Sequence, residues 1–119
     1  MAASMVQYVV VRGDLLHSLK WPTGAVIAQA CHACTAVLHL YKEDENVVTY
    51  TADLDNMHKV VLEAKNEESL RGLAEKLQEG NVDHKLWIEQ PENYATCLAA
   101  KPYPKEEIQR YFKKFKLFK

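Results

Sequence analysis

Apolar and polar positions change period several times along the chain, and each change marks an element. Val6–Arg12 (VQYVVVR) is a short run rich in β-branched and aromatic residues, which predicts a buried strand ended by Gly13-Asp14. Leu15–Thr23 reads as a loop, with Pro22 placed to open a helix. Gly24 to about Lys42 is the clearest helical segment. With Ala25 set at zero on a helical wheel, Val26, Ile27, Ala30, Cys34, Val37, Leu38 and Tyr41 fall between roughly 100° and 220°, which predicts a core face. Ala25, Gln29, His32 and Ala36 fall within roughly 40° of zero, on a stripe expected to face away from the core. The stretch from Asp44 towards Lys59 is polar, anchored by Leu54 and Met57, with room for a short helix. Lys59–Ala64 (KVVLEA) predicts a second strand. Asn66 suits an N-cap for a helix through Glu79, with Leu70, Leu73, Ala74 and Leu77 as its apolar stripe and Gly80-Asn81 as its stop. His84–Glu89 (HKLWIE) predicts a third strand, and Thr96–Ala100 (TCLAA) a fourth, across a turn containing Pro91 and Asn93. Pro104 opens a final helix with Ile108, Tyr111, Phe112 and Phe115 as its apolar face.

Strands alternating with helices predict an α/β sandwich: a four-stranded mixed sheet, its last two strands antiparallel, with helices on both faces. At 119 residues the chain suits one domain, read as residues 6–119 behind a flexible tail of residues 1–5. No internal repeat interrupts it. No apolar run approaches the ~20 residues of a membrane span, and residues 1–5 do not resemble a secretory signal. Three cysteines in no framework pattern suggest a reduced protein of the cytoplasm.

Net charge is −1, but it is unevenly spread. Residues 101–119 hold seven basic side chains against Glu106 and Glu107, whereas the preceding 100 residues hold eight basic and fourteen acidic ones. A basic end on an acidic body suits a polyanionic partner, and equally a solvated helix face with a lysine tail.

Candidate chemistry is sparse. Cys31-His32-Ala33-Cys34 has the spacing of a redox or metal motif, but it lies two turns inside a helix, away from the N-terminus that would lower a thiol pKa. Cys97 is the only further cysteine, too few for a structural zinc site, so the cysteines read as packing residues and neither metal nor cofactor is expected. There is no phosphate-binding glycine loop and no nucleophile elbow. His32 is the residue of interest. On its stripe with Gln29 it is either an ordinary surface histidine or a base near neutral pH.

Val9-Val10-Val11-Arg12-Gly13-Asp14-Leu15, followed by Gly24-Ala25-Val26-Ile27-Ala28-Gln29-Ala30-Cys31-His32-Ala33, resembles the type II peptidyl-tRNA hydrolases of archaea and eukaryotes. So do Lys59–Ala64, the helix after it and Thr96 at the start of the last strand, so that the resemblance runs from Val6 onward. It implies a metal-independent esterase that frees tRNA from a peptide. Gln29, His32 and Thr96 then become the catalytic candidates, with His32 activating water and Thr96 stabilising the oxyanion. Arg12, Asp14, Lys20, Lys101 and Lys105 become substrate-binding candidates, the cations set against phosphates. The partner implied is tRNA, with no DNA or membrane role, and a second copy of the chain is a further candidate partner. Two positions depart from the family pattern: Ala25 stands where the family has lysine, and Gln90 or a neighbour stands where it has aspartate. Both losses keep open a second reading, a family member that binds tRNA or protein without chemistry.

Overall fold

The computed structural model describes residues 4–119. Of the segment expected as a tail, residues 1–3 lie outside the described residues, and Met5 already belongs to the first strand. The elements are β1 (Met5–Arg12), α1 (Asp14–His17), α2 (Thr23–Leu40), α3 (Glu45–Thr51), β2 (Lys59–Ala64), α4 (Glu67–Glu79), β3 (His84–Glu89), β4 (Tyr94–Ala100), β5 (Tyr103–Pro104), α5 (Lys105–Ile108) and β6 (Lys116–Leu117).

The sheet runs β3-β4-β1-β2-β6, with β5 paired to the start of β1. β1 and β2 are parallel, and the other pairings are antiparallel. The expected mixed α/β architecture is present, but the sheet has six strands and not four. Both additions are two-residue strands at the margins of the expected final helix, β5 at its start and β6 just past Phe115, the last residue of its expected apolar face. That helix stops after α5 and a 3₁₀ turn over Gln109–Tyr111, and Lys116–Leu117 then pairs with β2. The loop expected before α2 likewise holds the single turn α1.

Alternation along β1 divides the core. Val6, Tyr8 and Val10 pack with Leu70, Leu73 and Leu77 of α4, while Val9 and Val11 pack with Val26, Ala33 and Val37 of α2. The two principal helices therefore cover opposite faces. The capping of α4 follows the sequence expectation, since the Asn66 side chain accepts from the backbone N–H of Ser69 at 2.9 Å. By length and composition α2 does reach what a membrane crossing needs, contrary to the sequence expectation. In this fold it lies against β1, β3 and β4.

The phase of α2 is a second correction. Its buried residues are Val26, Gln29, Ala33 and Val37. Ile27, expected inside, is 59% exposed, and Gln29, expected outside, is 2% exposed. The helix is thus rotated towards the supposed polar stripe. A glutamine can occupy its buried face only if its amide is satisfied there.

Candidate active site at the carboxyl end of the first strand

Parallel strands β1 and β2 end together, with Arg12 opposite Ala64. In α/β sheets the ends of parallel strands are where loops assemble ligand sites. Here the chain turns from β1 through α1 into α2, and the first residues of β4 lie alongside.

A register shift in β4 shapes this end. Trp87 pairs with Cys97 and Ile88 pairs with Ala95, so Thr96 has no partner on β3. An unpaired extra residue bends a strand and re-aims a side chain. Leu98 and Ala100 face α4. The bulge turns Thr96 the other way, towards α2, where its hydroxyl donates to Gln29 Oε1 at 2.8 Å. Gln29 Nε2 donates to the Ala25 carbonyl one turn back, at 3.1 Å. That carbonyl can only accept, so the amide orientation is determined, and one Nε2 hydrogen is left over. Thr96 and Gln29 are 67 positions apart in the chain, and this bond ties α2 to β4. Because the Thr96 proton is held by Gln29, the hydroxyl is not free to donate to an oxyanion. Its place is to orient Gln29.

His32 sits one turn beyond Gln29, exposed, with its ring stacked on Trp87 of β3 at 4.7 Å between centroids and 21° between planes. The Trp87 indole N–H donates to Glu89 Oε1 at 2.9 Å. A carboxylate is therefore held on the same strand as the histidine's stacking partner. Sequence reasoning offered Glu89, alongside Glu92, only as a stand-in for the family's missing carboxylate, and it gave Trp87 no place in the site. Strand alternation was the available signal, since positions 87 and 89 share one face.

Arg12 was expected to meet phosphate, and the structure corrects this. It is 5% exposed and committed to protein acceptors. Nε and Nη2 donate to the two Asp14 carboxylate oxygens, both at 2.9 Å, and Nη1 donates to the Ala95 carbonyl at 3.2 Å. Glu67 Oε1 stands 3.7 Å away, while Glu67 Oε2 accepts from the Ala95 N–H at 3.0 Å. A buried guanidinium has to be paired in this way. The Asp14 hydrogen bond raises the Arg12 pKa above its ordinary value. Bonding to the Ala95 amide holds the Glu67 carboxyl below its own, helped by Arg71 and Arg12. The clamp fixes the start of β4, and hence the bulge. Tyr94 caps it, with Arg12 5.6 Å from its ring centroid and the Trp21 ring stacked at 6.5 Å.

The lysines separate. Lys20 is exposed in the loop before α2, at this end of the molecule. Lys101 follows the far end of β4, about 17 Å from Thr96 at ~3.3 Å per residue. It is 4% exposed and donates to Asp44 at 2.7 Å and Asp83 at 2.9 Å. It is an internal ion bridge and has no access to a phosphate near Gln29. Lys105 is exposed but belongs to the same far end, where its N–H meets the Ser4 carbonyl beside the start of β1. Among the cysteines, burial pushes the thiols of Cys34 and Cys97 upward, so neither is activated, and Cys31 is exposed. Among the described residues, no three His, Cys, Asp or Glu side chains group as metal ligands.

A single α/β domain with a mixed sheet, whose glutamine and threonine meet at the end of the parallel pair, defines the class of protein. The family model "Peptidyl-tRNA hydrolase PTH2" matches residues 5–118, and the chain belongs to that family. Among its relatives is a mouse (Mus musculus) protein named "Putative peptidyl-tRNA hydrolase PTRHD1", 57% identical over 116 residues that cover 97% of this chain and 83% of the relative. The human (Homo sapiens) protein of the same name is 55% identical over the same spans. "Probable peptidyl-tRNA hydrolase 2" of Dictyostelium discoideum is 31% identical over 94% of this chain and 54% of its own length.

Proposed function

We propose that the protein hydrolyses the ester between a peptide and the terminal ribose of tRNA, releasing a peptide carboxylate and reusable tRNA. The observation that carries this reading is the Gln29–Thr96 hydrogen bond with exposed His32 one turn away, in a chain of the PTH2 family. His32 takes a proton from the attacking water and later returns it to the leaving ribose oxygen. The spare Nε2 hydrogen of Gln29 is the donor available to the oxygen that gains charge in the tetrahedral transition state. Thr96 holds that amide in position, and Trp87 holds the imidazole by stacking. The same reading puts the work in the cytoplasm, where translation supplies the substrate.

The decisive measurement is single-turnover hydrolysis of an N-blocked aminoacyl-tRNA by the wild-type protein and by His32→Ala. Loss of a general base lowers the rate by about 10²- to 10⁴-fold. An unchanged rate removes His32 from the mechanism.

A second reading, a tRNA-binding module without chemistry, is favoured by two observations. Position 25 carries only a methyl group, and the Gln29 amide is 2% exposed and engaged on both sides. Tight tRNA binding with no hydrolysis above the spontaneous rate would select it.

A further inference from the structure

One register row crosses most of the sheet. Cys97 pairs with Val11, Val11 with Glu63, and Glu63 with Lys116. Its β4 end adjoins Thr96. Its β6 end opens into a groove of about 810 Å³ where Lys65, Lys114, Lys116 and Lys119 stand around Glu63 and Ser69, with Phe115 and Leu117 also in its wall. All four lysines are exposed, and among the described residues none makes an ion pair. The acidic side chain lining the groove, Glu63, is turned to His17 at 3.6 Å. Three of the seven C-terminal cations, Lys114, Lys116 and Lys119, are therefore gathered with Lys65 around one groove. β6 pairing draws Lys116 to the sheet edge, with Lys114 and Lys119 beside it.

Resting on the peptidyl-tRNA reading, we infer that this groove holds phosphates of the tRNA acceptor stem while the ester lies at Gln29 and His32. Three strand steps of about 4.8 Å separate β4 from β6, or roughly 14 Å. At about 3.4 Å per stacked nucleotide, that distance spans about four nucleotides. A strand whose 3′ end is at the site thus reaches the groove where the unpaired end of a tRNA gives way to its duplex stem. Duplex RNA is gripped through phosphates and shape, which suits four exposed ammonium groups outside any ion pair. The groove's aromatic side chain, Phe115, packs against the core, with the Lys114 ammonium 5.5 Å from its ring centroid.

The test uses the full chain and the combined variant Lys65→Gln, Lys114→Gln, Lys116→Gln, Lys119→Gln, whose folding is checked by its urea midpoint. Two RNAs are titrated against salt: an acceptor-stem minihelix, and its 3′ single strand cut at the first paired nucleotide, too short to reach the groove. For the minihelix the variant binds on the order of tenfold or more weakly, and the slope of log affinity against log salt flattens by roughly three. Affinity for the short strand stays unchanged. An unaltered minihelix slope overturns the inference, as does equal weakening on both RNAs or a wild-type protein without salt-dependent tRNA affinity. The reading it rests on fails separately: wild type that binds the minihelix through these lysines but cleaves no ester keeps the groove and removes the hydrolase.

Discussion

At the scale of single residues, Thr96 and Ala25 divide positioning from charge. The Thr96 hydroxyl is buried and donates to a buried Gln29 oxygen. Thr96→Val keeps the shape but leaves Gln29 Oε1 without its donor, at a cost of about 1–3 kcal/mol. Thr96→Ser retains the donor and is expected to recover most of that loss in urea unfolding. If valine and serine behave alike, the bond is not what holds α2 to the bulge. Ala25 is the charge question. It is half-buried, and its carbonyl already anchors Gln29, so its side chain starts one turn from the glutamine on the site's own stripe. An ammonium group placed there stabilises an oxyanion selectively and a phosphate uniformly. Ala25→Lys is therefore expected to raise kcat by roughly 10- to 100-fold if it reaches the transition state, and to lower only KM if it reaches a phosphate. A folded variant with neither change would mean that position 25 does not face the bound ester. These three positions were visible in the sequence as family matches and departures. The proton direction between Thr96 and Gln29 was not, because it depends on which neighbour can only accept.

At the scale of elements, local periodicity located nearly every strand and helix but misjudged the phase of α2. Apolar residues occur around much of that helix, Ile27 and Leu40 being well exposed. A wheel weighs apolarity alone, so it turned Gln29 outward. What buries Gln29 is a threonine 67 positions away, made available by a bulge that has no signature within α2. The C-terminus was misread for a related reason. Ile108 and Phe112 have helical spacing, yet the helix gives way to a 3₁₀ turn and then a strand. Packing decides there. Phe112 stacks on Tyr8 of β1 with centroids 4.3 Å apart and planes 8° apart, and it is 3% exposed. Phe112→Ala removes that stack and opens a cavity between β1 and the C-terminal segment, costing about 3–5 kcal/mol. Because the segment also supplies β6, hydrogen exchange should accelerate in Leu62 and Leu117 before it does in β3. Uniform acceleration across the sheet would show that the segment does not open on its own.

At the scale of the whole molecule, each end of the sheet is closed by a buried cation between carboxylates. Arg12 with Asp14 and Glu67 joins β1, α1, α4 and β4 at the site end, while Lys101 with Asp44 and Asp83 joins β4 to the segments before α3 and β3 at the other. Composition showed the charged residues, but not that these two cations leave the surface, because their partners come from distant parts of the chain. Both closures respond to pH. The Lys101 hydrogen bond holds the Asp44 carboxyl below its ordinary value, as the Ala95 amide does for Glu67. A lowered carboxylate contributes stability that is present above the unfolded-state pKa, about 4, and is lost as pH falls through the lowered folded value. For Lys101, burial disfavours the charged form, but the Asp44 and Asp83 carboxylates outweigh it and push the ammonium up to about 12. Its contribution has the opposite sense: fully present below the ordinary lysine value and lost as pH rises towards 12. Urea midpoints should therefore hold steady through neutral pH, fall below about pH 4 and fall again in strong alkali. In Lys101→Met the alkaline fall attributable to this ammonium should disappear and the acid fall should shrink, since Asp44 no longer has the partner that lowered it. A variant with the wild-type acid limb would mean that Glu67 at the site end carries acid sensitivity alone. The end of the molecule proposed to meet tRNA would then also be the first to open.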